Sequence, residues 1–336
     1  MQQSREDDSK GRRGCTYSSC VFAALLFVLA SGWELSSASA PSSEPSAQST
    51  ISVRTELVLL PVRVTDAKGE FVPGLGSDDF HVYENGQLQK VTFFRKEDNP
   101  VTVGLVVDHS GSMSPKLQEV ATAVFEFAHS SNRQDEMFVV NFNERATLQP
   151  LGGKEFTNDA MELDQAITNV TASGETALYD AIVEGFRHLE LGTHDKKALI
   201  IVSDGGDDAS QHKLSQVLKL AQQSHVVVYC IGLIGQTLEE ENPGVLRRLS
   251  KDTGGIAYFP DSAESVIDTS KQIAIDLREQ YTLGYIPPKG KGDSSFRTVQ
   301  VKADAPGYGK LHARTKPGYF PADEQHPSRD SGGKAP

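Results

Sequence analysis

Cysteine is scarce: Cys15, Cys20 and Cys230 are the only three in 336 residues. The first two fall in an N-terminal segment that reads as removable, which excludes an intramolecular disulfide from the remainder. The mature protein must then be held by its core. Cys230, within the apolar run VVVYCIGL, reads as a small buried hydrophobe on a strand. The N-terminal apolar run, Cys20 to Ala30, is too short to cross ~30 Å of hydrocarbon unaided. A surplus of basic residues is also lacking, since 33 Lys and Arg stand against 45 Asp and Glu for a net charge of −12. Binding a phosphate backbone needs a basic face, so nucleic acid is excluded as the main partner. HExxH, GxxxxGK[ST] and GxSxG do not occur, the nine histidines show no zinc spacing, and Gly74-Leu75-Gly76 lacks the third glycine and following helix of a dinucleotide fingerprint.

What is present begins with a targeting pattern over residues 1–40. Arg12 and Arg13 precede the apolar run, and Ala38-Ser39-Ala40 offers small residues for cleavage. The protein is therefore expected to be exported, to the periplasm, the cell surface or the medium, and to touch a membrane only if this segment is retained. Residues 41–50, PSSEPSAQST, have too few apolar groups to bury and read as a flexible linker. Residues 51–98 have strand character, with ELVLLPVRV, a turn at Ala67-Lys68-Gly69, and FHVYENGQLQKVTFF, where Asn85-Gly86 between alternating runs predicts a two-residue hairpin.

From Val101 the pattern changes to continuous apolar runs, VTVGLVV, MFVVNF, ALIIVS and VVVYCIGL. Such runs suit strands covered on both faces, as in parallel sheets. Helical stripes alternate with them: Leu117 to Ala128 after a Ser114 cap and Pro115, Ala177 to Leu189, Lys213 to Gln223, and Val266 to Leu277. Residues 99–280 are therefore expected to form an α/β domain with a doubly wound, mostly parallel sheet. After Gln280 the texture returns to β with YTLGYI, FRTVQVKA and KLHART. Residues 51–98 and 281–320 are too short to bury a core separately and are expected to pair into one antiparallel module flanking the α/β domain. The tail, residues 321–336, reads as disordered.

Three polar clusters lie where such a sheet binds ligands. The first strand ends in Asp108-His109-Ser110-Gly111-Ser112. A Gly-rich loop carries Thr176 just before a helix, and ALIIVS is followed by Asp204-Gly205-Gly206. These side chains offer oxygen only, which suits a hard cation such as Mg²⁺ that keeps part of its water shell. Each cluster alone is equally consistent with helix capping, as is the pair Asp207-Asp208 with a solvated loop. Capping does not, however, require three oxygen clusters at one end of a sheet. His109 beside Asp108 and Ser110 is not by itself a catalytic triad, whose members meet in space.

Together, Asp-x-Ser-x-Ser, the loop Gly174-Glu175-Thr176-Ala177-Leu178-Tyr179-Asp180 and Ser203-Asp204-Gly205 resemble the metal-ion-dependent adhesion site of von Willebrand factor A domains. LRRLSKDTGGIAYF is similar to that family's final strand region. The flanking β segments further resemble secreted acidobacterial proteins related to that family. The resemblance implies a Mg²⁺ or Mn²⁺ ion held by the hydroxyls of Ser110, Ser112 and Thr176 and the carboxylates of Asp108 and Asp204, some through water. Ser203 stands where Thr is commoner, off the ligand set. The implied function is non-enzymatic, cation-dependent binding of a protein whose exposed Asp or Glu completes the coordination. Two alternatives are a metal-dependent hydrolase, with His109, Glu175 or Asp207-Asp208 as candidate bases, and a scaffold whose ion is purely structural.

Overall fold

The computed structural model describes residues 57–96, 99–235, 241–288 and 295–321, all within one compact unit, Arg54–Pro336. The expected export segment, linker and nearly all of the tail lie outside the described residues. Among the described residues no helix is long and apolar enough to cross a membrane.

The chain opens with β1 (Val58–Thr65), β2 (Phe80–Glu84), β3 (Gln87–Gln89) and β4 (Val91–Arg95). Asn85 and Gly86 both have positive φ, at 48° and 78°, and Glu84 pairs with Gln87. This is the type I′ geometry whose twist matches paired strands. The run QLQKVTFF does not continue as one strand, because β3 stays beside β2 while β4 crosses to a different sheet.

The α/β body follows. Its strands are β5 (Val101–Asp108), β6 (Glu136–Phe142), β7 (Ala146–Leu148), β8 (Lys196–Ser203), β9 (Val227–Gly232) and β10 (Ala257–Tyr258). Between and after them run α1 (Leu117–Ser130), α2 (Ala160–Thr168), α3 (Leu178–Leu189), α4 (Leu214–Gln223), α5 (Pro243–Thr253) and α6 (Ala263–Arg278). The sheet order is β10-β9-β8-β5-β6-β7, parallel except for β7, and every residue of β5 and β9 is buried. The expected doubly wound fold is the fold observed. Two local readings change. Ser114 caps no helix, because Gly111–Lys116 forms a 3-10 turn with Pro115 inside it and α1 starts only at Leu117. Most of LRRLSKDTGGIAYF is helical, with α5 ending on Gly254 at φ 86° and only Ala257–Tyr258 adding a strand. Gly254 stops the helix in the left-handed conformation that favours glycine.

The last strands are β11 (Tyr281–Tyr285), β12 (Arg297–Ala303), β13 (His312–Arg314) and β14 (Gly318–Tyr319). They complete two four-stranded antiparallel sheets, β13-β1-β11-β4 and β14-β12-β2-β3. Strands from before and after the α/β body thus share both sheets. Alternation along β1 and β12 points Val58, Leu60, Val62, Val299 and Val301 into one core with Phe80, Tyr281 and Tyr285. A second core fills the α/β body around Leu105, Phe138, Ile201 and Phe127.

Lys316, between β13 and β14, is 4% exposed, and burial pulls its amine down from 10.5 to about 8. Its ammonium has the carbonyl of Ser224 at 3.4 Å and the Tyr319 ring 5.5 Å away. The folded chain therefore binds this proton less readily than the unfolded chain does. Stability from this group is lost as pH falls from about 10.5 to about 8, and the penalty is complete below that. Lys316→Met is expected to raise stability at pH 7 by about 2–3 kcal/mol, with the gain shrinking by pH 9.5. Urea melts of both proteins at the two pH values check this; an equal difference at both refutes it.

Candidate metal centre

At β5 the strand order reverses, with β6 on one side and β8 on the other, so the carboxyl ends of β5 and β8 flank a crevice. Asp108 ends β5 fully buried. Its Oδ1 accepts from Ser110 N at 2.9 Å and Ser110 Oγ at 2.6 Å, and its Oδ2 accepts from Ser203 Oγ at 2.6 Å. Ser110 Oγ lies 3.2 Å from Ser112 Oγ, which donates to Asp204 Oδ2 at 2.7 Å. Asp204 is 1% exposed, and its Oδ1 accepts from Gly206 N. Four of the five expected ligand residues thus form one continuous chain of oxygens across two loops.

Thr176, the fifth, sits on the neighbouring loop and is held by its main chain. Its N–H donates to Asp208 Oδ1 at 2.7 Å, and its carbonyl accepts from Asp208 N and Ala209 N. The loop is also pinned to the first cluster, with Gly111 N donating to Gly174 O at 3.0 Å and Ser173 N to His109 O at 2.9 Å. Gly174 has φ 83°, and a Cβ there would lie 2.0 Å from Glu144 Oε2. Asp207 Oδ1 accepts from Tyr179 N, near the start of α3, and from Ser210 Oγ. The Asp207-Asp208 pair, read from sequence as a solvated loop, therefore fixes the Thr176 loop and the first turn of α3. His109 is 1% exposed, with ring nitrogens 3.3 Å from Val107 O and 3.1 Å from Ile167 O. It faces main chain inside the protein.

Burial pushes the Asp108 carboxyl up to about 6 against the lowering effect of bonds from Ser110 and Ser203, and nearby Asp204 raises it further. Two desolvated carboxylates beside two serine hydroxyls are a donor set that a hard divalent cation would satisfy, with hydroxyl lone pairs turned to the ion. Asp108, Ser110, Ser112 and Asp204 fit that role as placed. Among the described residues no group of three or more His, Cys, Asp and Glu is placed to hold a metal. The candidate set contains only two such residues, so hydroxyls would have to supply its other protein donors.

Lys116 and Glu241 escaped the sequence reading, and Ser203 entered it only as a residue off the ligand set. Ser203 is bonded to Asp108 and accepts from Gly205 N at 2.9 Å. Lys116 places its ammonium 3.9 Å from Asp204 Oδ2 and 3.3 Å from Glu241 Oε1. Lys116 and Asp204 lie far apart in sequence, and no local pattern announces the contact.

Residues 102–272, just over half of the chain, match the von Willebrand factor type A domain. The chain belongs to the von Willebrand factor type A domain family. Its members generally mediate protein–protein interaction and are generally not enzymes. No curated protein matches the chain. Among solved structures it is similar to a von Willebrand factor type A protein from Catenulispora acidiphila, at 14% identity over 78% of this chain and 72% of that one, with a TM-score of 0.48. It is also similar to the conserved hypothetical protein BatB from Bacteroides thetaiotaomicron, at 18% identity over 52% and 98% of the two chains and a TM-score of 0.41. A third is the PilB minor pilin from Streptococcus sanguinis, at 14% identity over 54% and 61% and a TM-score of 0.42.

Proposed function

We propose that this von Willebrand factor type A protein is exported and binds a protein partner through one Mg²⁺ or Mn²⁺ ion at a metal-ion-dependent adhesion site. Asp108, Ser110, Ser112, Thr176 and Asp204 are its ligands. The carrying observation is the oxygen chain from buried Asp108 through Ser110 and Ser112 to Asp204. Only two of the five ligands are charged, so they do no more than neutralise a divalent ion, and with neutral hydroxyls as its other protein ligands the ion stays electrophilic toward a further oxygen donor. An exposed Asp or Glu of a partner is the group that would complete its coordination. Surrounding surface must supply most of the affinity, because one ion contact is an anchor and buried complementarity dominates interfaces.

Calorimetry on the purified chain is expected to show one Mg²⁺ or Mn²⁺ site, weakened by Thr176→Ala and lost in Asp108→Ala. Equal cation binding by wild type and Asp108→Ala would refute the site. Partner capture from the exported fraction should be lost in EDTA and in Ser112→Ala. Capture that persists in EDTA would leave the ion a structural role.

A further inference from the structure

Lys116 closes the 3-10 turn that contains Ser112. Its ammonium donates to Leu233 O at 2.6 Å and lies between two carboxylates, Glu241 Oε1 at 3.3 Å and Asp204 Oδ2 at 3.9 Å. Asp204 Oδ2 is also the oxygen that accepts from Ser112. The Glu241 side chain is 4% exposed. Its Oε1 also accepts from Gly235 N, while its Oε2 is buried with no hydrogen-bond partner among the described residues. The next residue is fixed on the Asp204 loop: Asn242 N donates to Asp204 O at 3.1 Å, and a Cβ on Gly205 would lie 2.4 Å from Asn242 O. Glu241 therefore stands beside the candidate centre, with an ammonium between it and Asp204 and an unused acceptor oxygen.

We propose that Lys116 is a tethered counter-ion that competes with the divalent cation for Asp204, and that Glu241 is the seat to which its ammonium withdraws when the ion binds. This rests on the cation site proposed above. An ammonium and a divalent cation cannot both lie against one carboxylate oxygen without strong like-charge repulsion, which is little screened at buried positions. The pair Lys116–Glu241 then sets the affinity for the ion, with Lys116 opposing binding and Glu241 assisting it by holding the ammonium aside. Lys116 is a positioning residue here, because it touches a ligand side chain and not the ion.

The test is a double-mutant cycle read as the Kd for Mn²⁺ by calorimetry on the full chain, with wild type, Lys116→Met, Glu241→Gln and the double variant. Near-ultraviolet circular dichroism in EDTA checks that each is folded. Lys116→Met is expected to tighten binding about tenfold and Glu241→Gln to weaken it about tenfold, roughly one charge contact's worth. If Glu241 acts by holding the ammonium, Glu241→Gln should change Kd less than about threefold in the Lys116→Met background, a failure of additivity that marks direct coupling. A purely structural ion pair would weaken binding or leave it unchanged when Lys116 is replaced. Unchanged or weaker binding by Lys116→Met, or an undiminished effect of Glu241→Gln in its background, overturns the proposal. If wild type binds Mn²⁺ and Asp108→Ala does not, such a result leaves the cation site standing. If wild type binds no Mn²⁺, both fall.

Discussion

Asp276→Ala is expected to lower the unfolding free energy by about 3–5 kcal/mol, the cost of leaving a buried charge without its partner. Asp276 lies near the end of α6 and is 1% exposed. Its Oδ1 takes Arg63 Nη1 and Gln272 Nε2 at 2.9 Å each, and its Oδ2 takes Arg314 Nη2 at 2.9 Å. Arg63 belongs to β1 and Arg314 to β13, so one carboxylate joins the last helix of the α/β body to two adjacent strands of the β module. Arg63, with a side chain 8% exposed, would keep the Phe71 ring at 5.7 Å and, as its carboxylate among the described residues, Glu279 at 3.3 Å, whose own side chain is 38% exposed. Arg314 is more open to water and contributes less of the loss. Chemical denaturation at pH 7 measures the difference; a loss under about 1 kcal/mol would show that water or rearrangement replaces the carboxylate.

Glu84→Ala is expected to cost a similar amount, about 3–5 kcal/mol, by the same physics inside the module. Glu84 ends β2 and is 3% exposed. Its Oε1 accepts from Arg297 Nη1 at 3.1 Å, and its Oε2 from the hydroxyls of Tyr285 at 2.6 Å and Tyr319 at 2.8 Å. Arg297 and Tyr319 belong to the sheet of β2, while Tyr285 belongs to the other sheet, so the carboxylate locks the two sheets at one point. Burial and the facing carboxylate push both phenols well above their ordinary range and keep them as donors. Glu84→Gln keeps the shape and one acceptor oxygen but leaves the guanidinium without counter-charge, and about 1–3 kcal/mol is expected. The ordering Ala worse than Gln is the discriminating result. Equal losses would mean that charge, and not the hydrogen-bond count, holds the network together.

Much of the architecture was legible in local patterns. VTVGLVV, ALIIVS and VVVYCIGL are apolar at consecutive positions because their strands are covered on both faces, and they became β5, β8 and β9. Asn85-Gly86 specified its turn because both residues accept positive φ. The oxygen clusters were visible because a parallel sheet collects the ends of its strands at one edge, so residues just after Asp108 and Ser203 had to be neighbours. Less was legible where one stretch serves two surroundings. QLQKVTFF alternates as a single strand would, yet β3 and β4 belong to different sheets. LRRLSKDTGGIAYF likewise serves two elements, the end of α5 up to the left-handed Gly254 and then the two-residue strand Ala257–Tyr258.

The amino-acid sequence by itself determined the period and covering of each strand, the hairpin, and which oxygen-bearing side chains stand at strand ends, because these follow from chain geometry within a few residues. Only the tertiary structure decided the rest. It turned Ser203 toward Asp108, brought Lys116 and Glu241 against Asp204, and tied α6 to β1 and β13 through Asp276. It also made the segments before and after the α/β body share two sheets. The reason is physical: pairing of distant charges and strands depends on which faces the packed helices and sheets leave opposite one another, and that choice has no local signature along the chain.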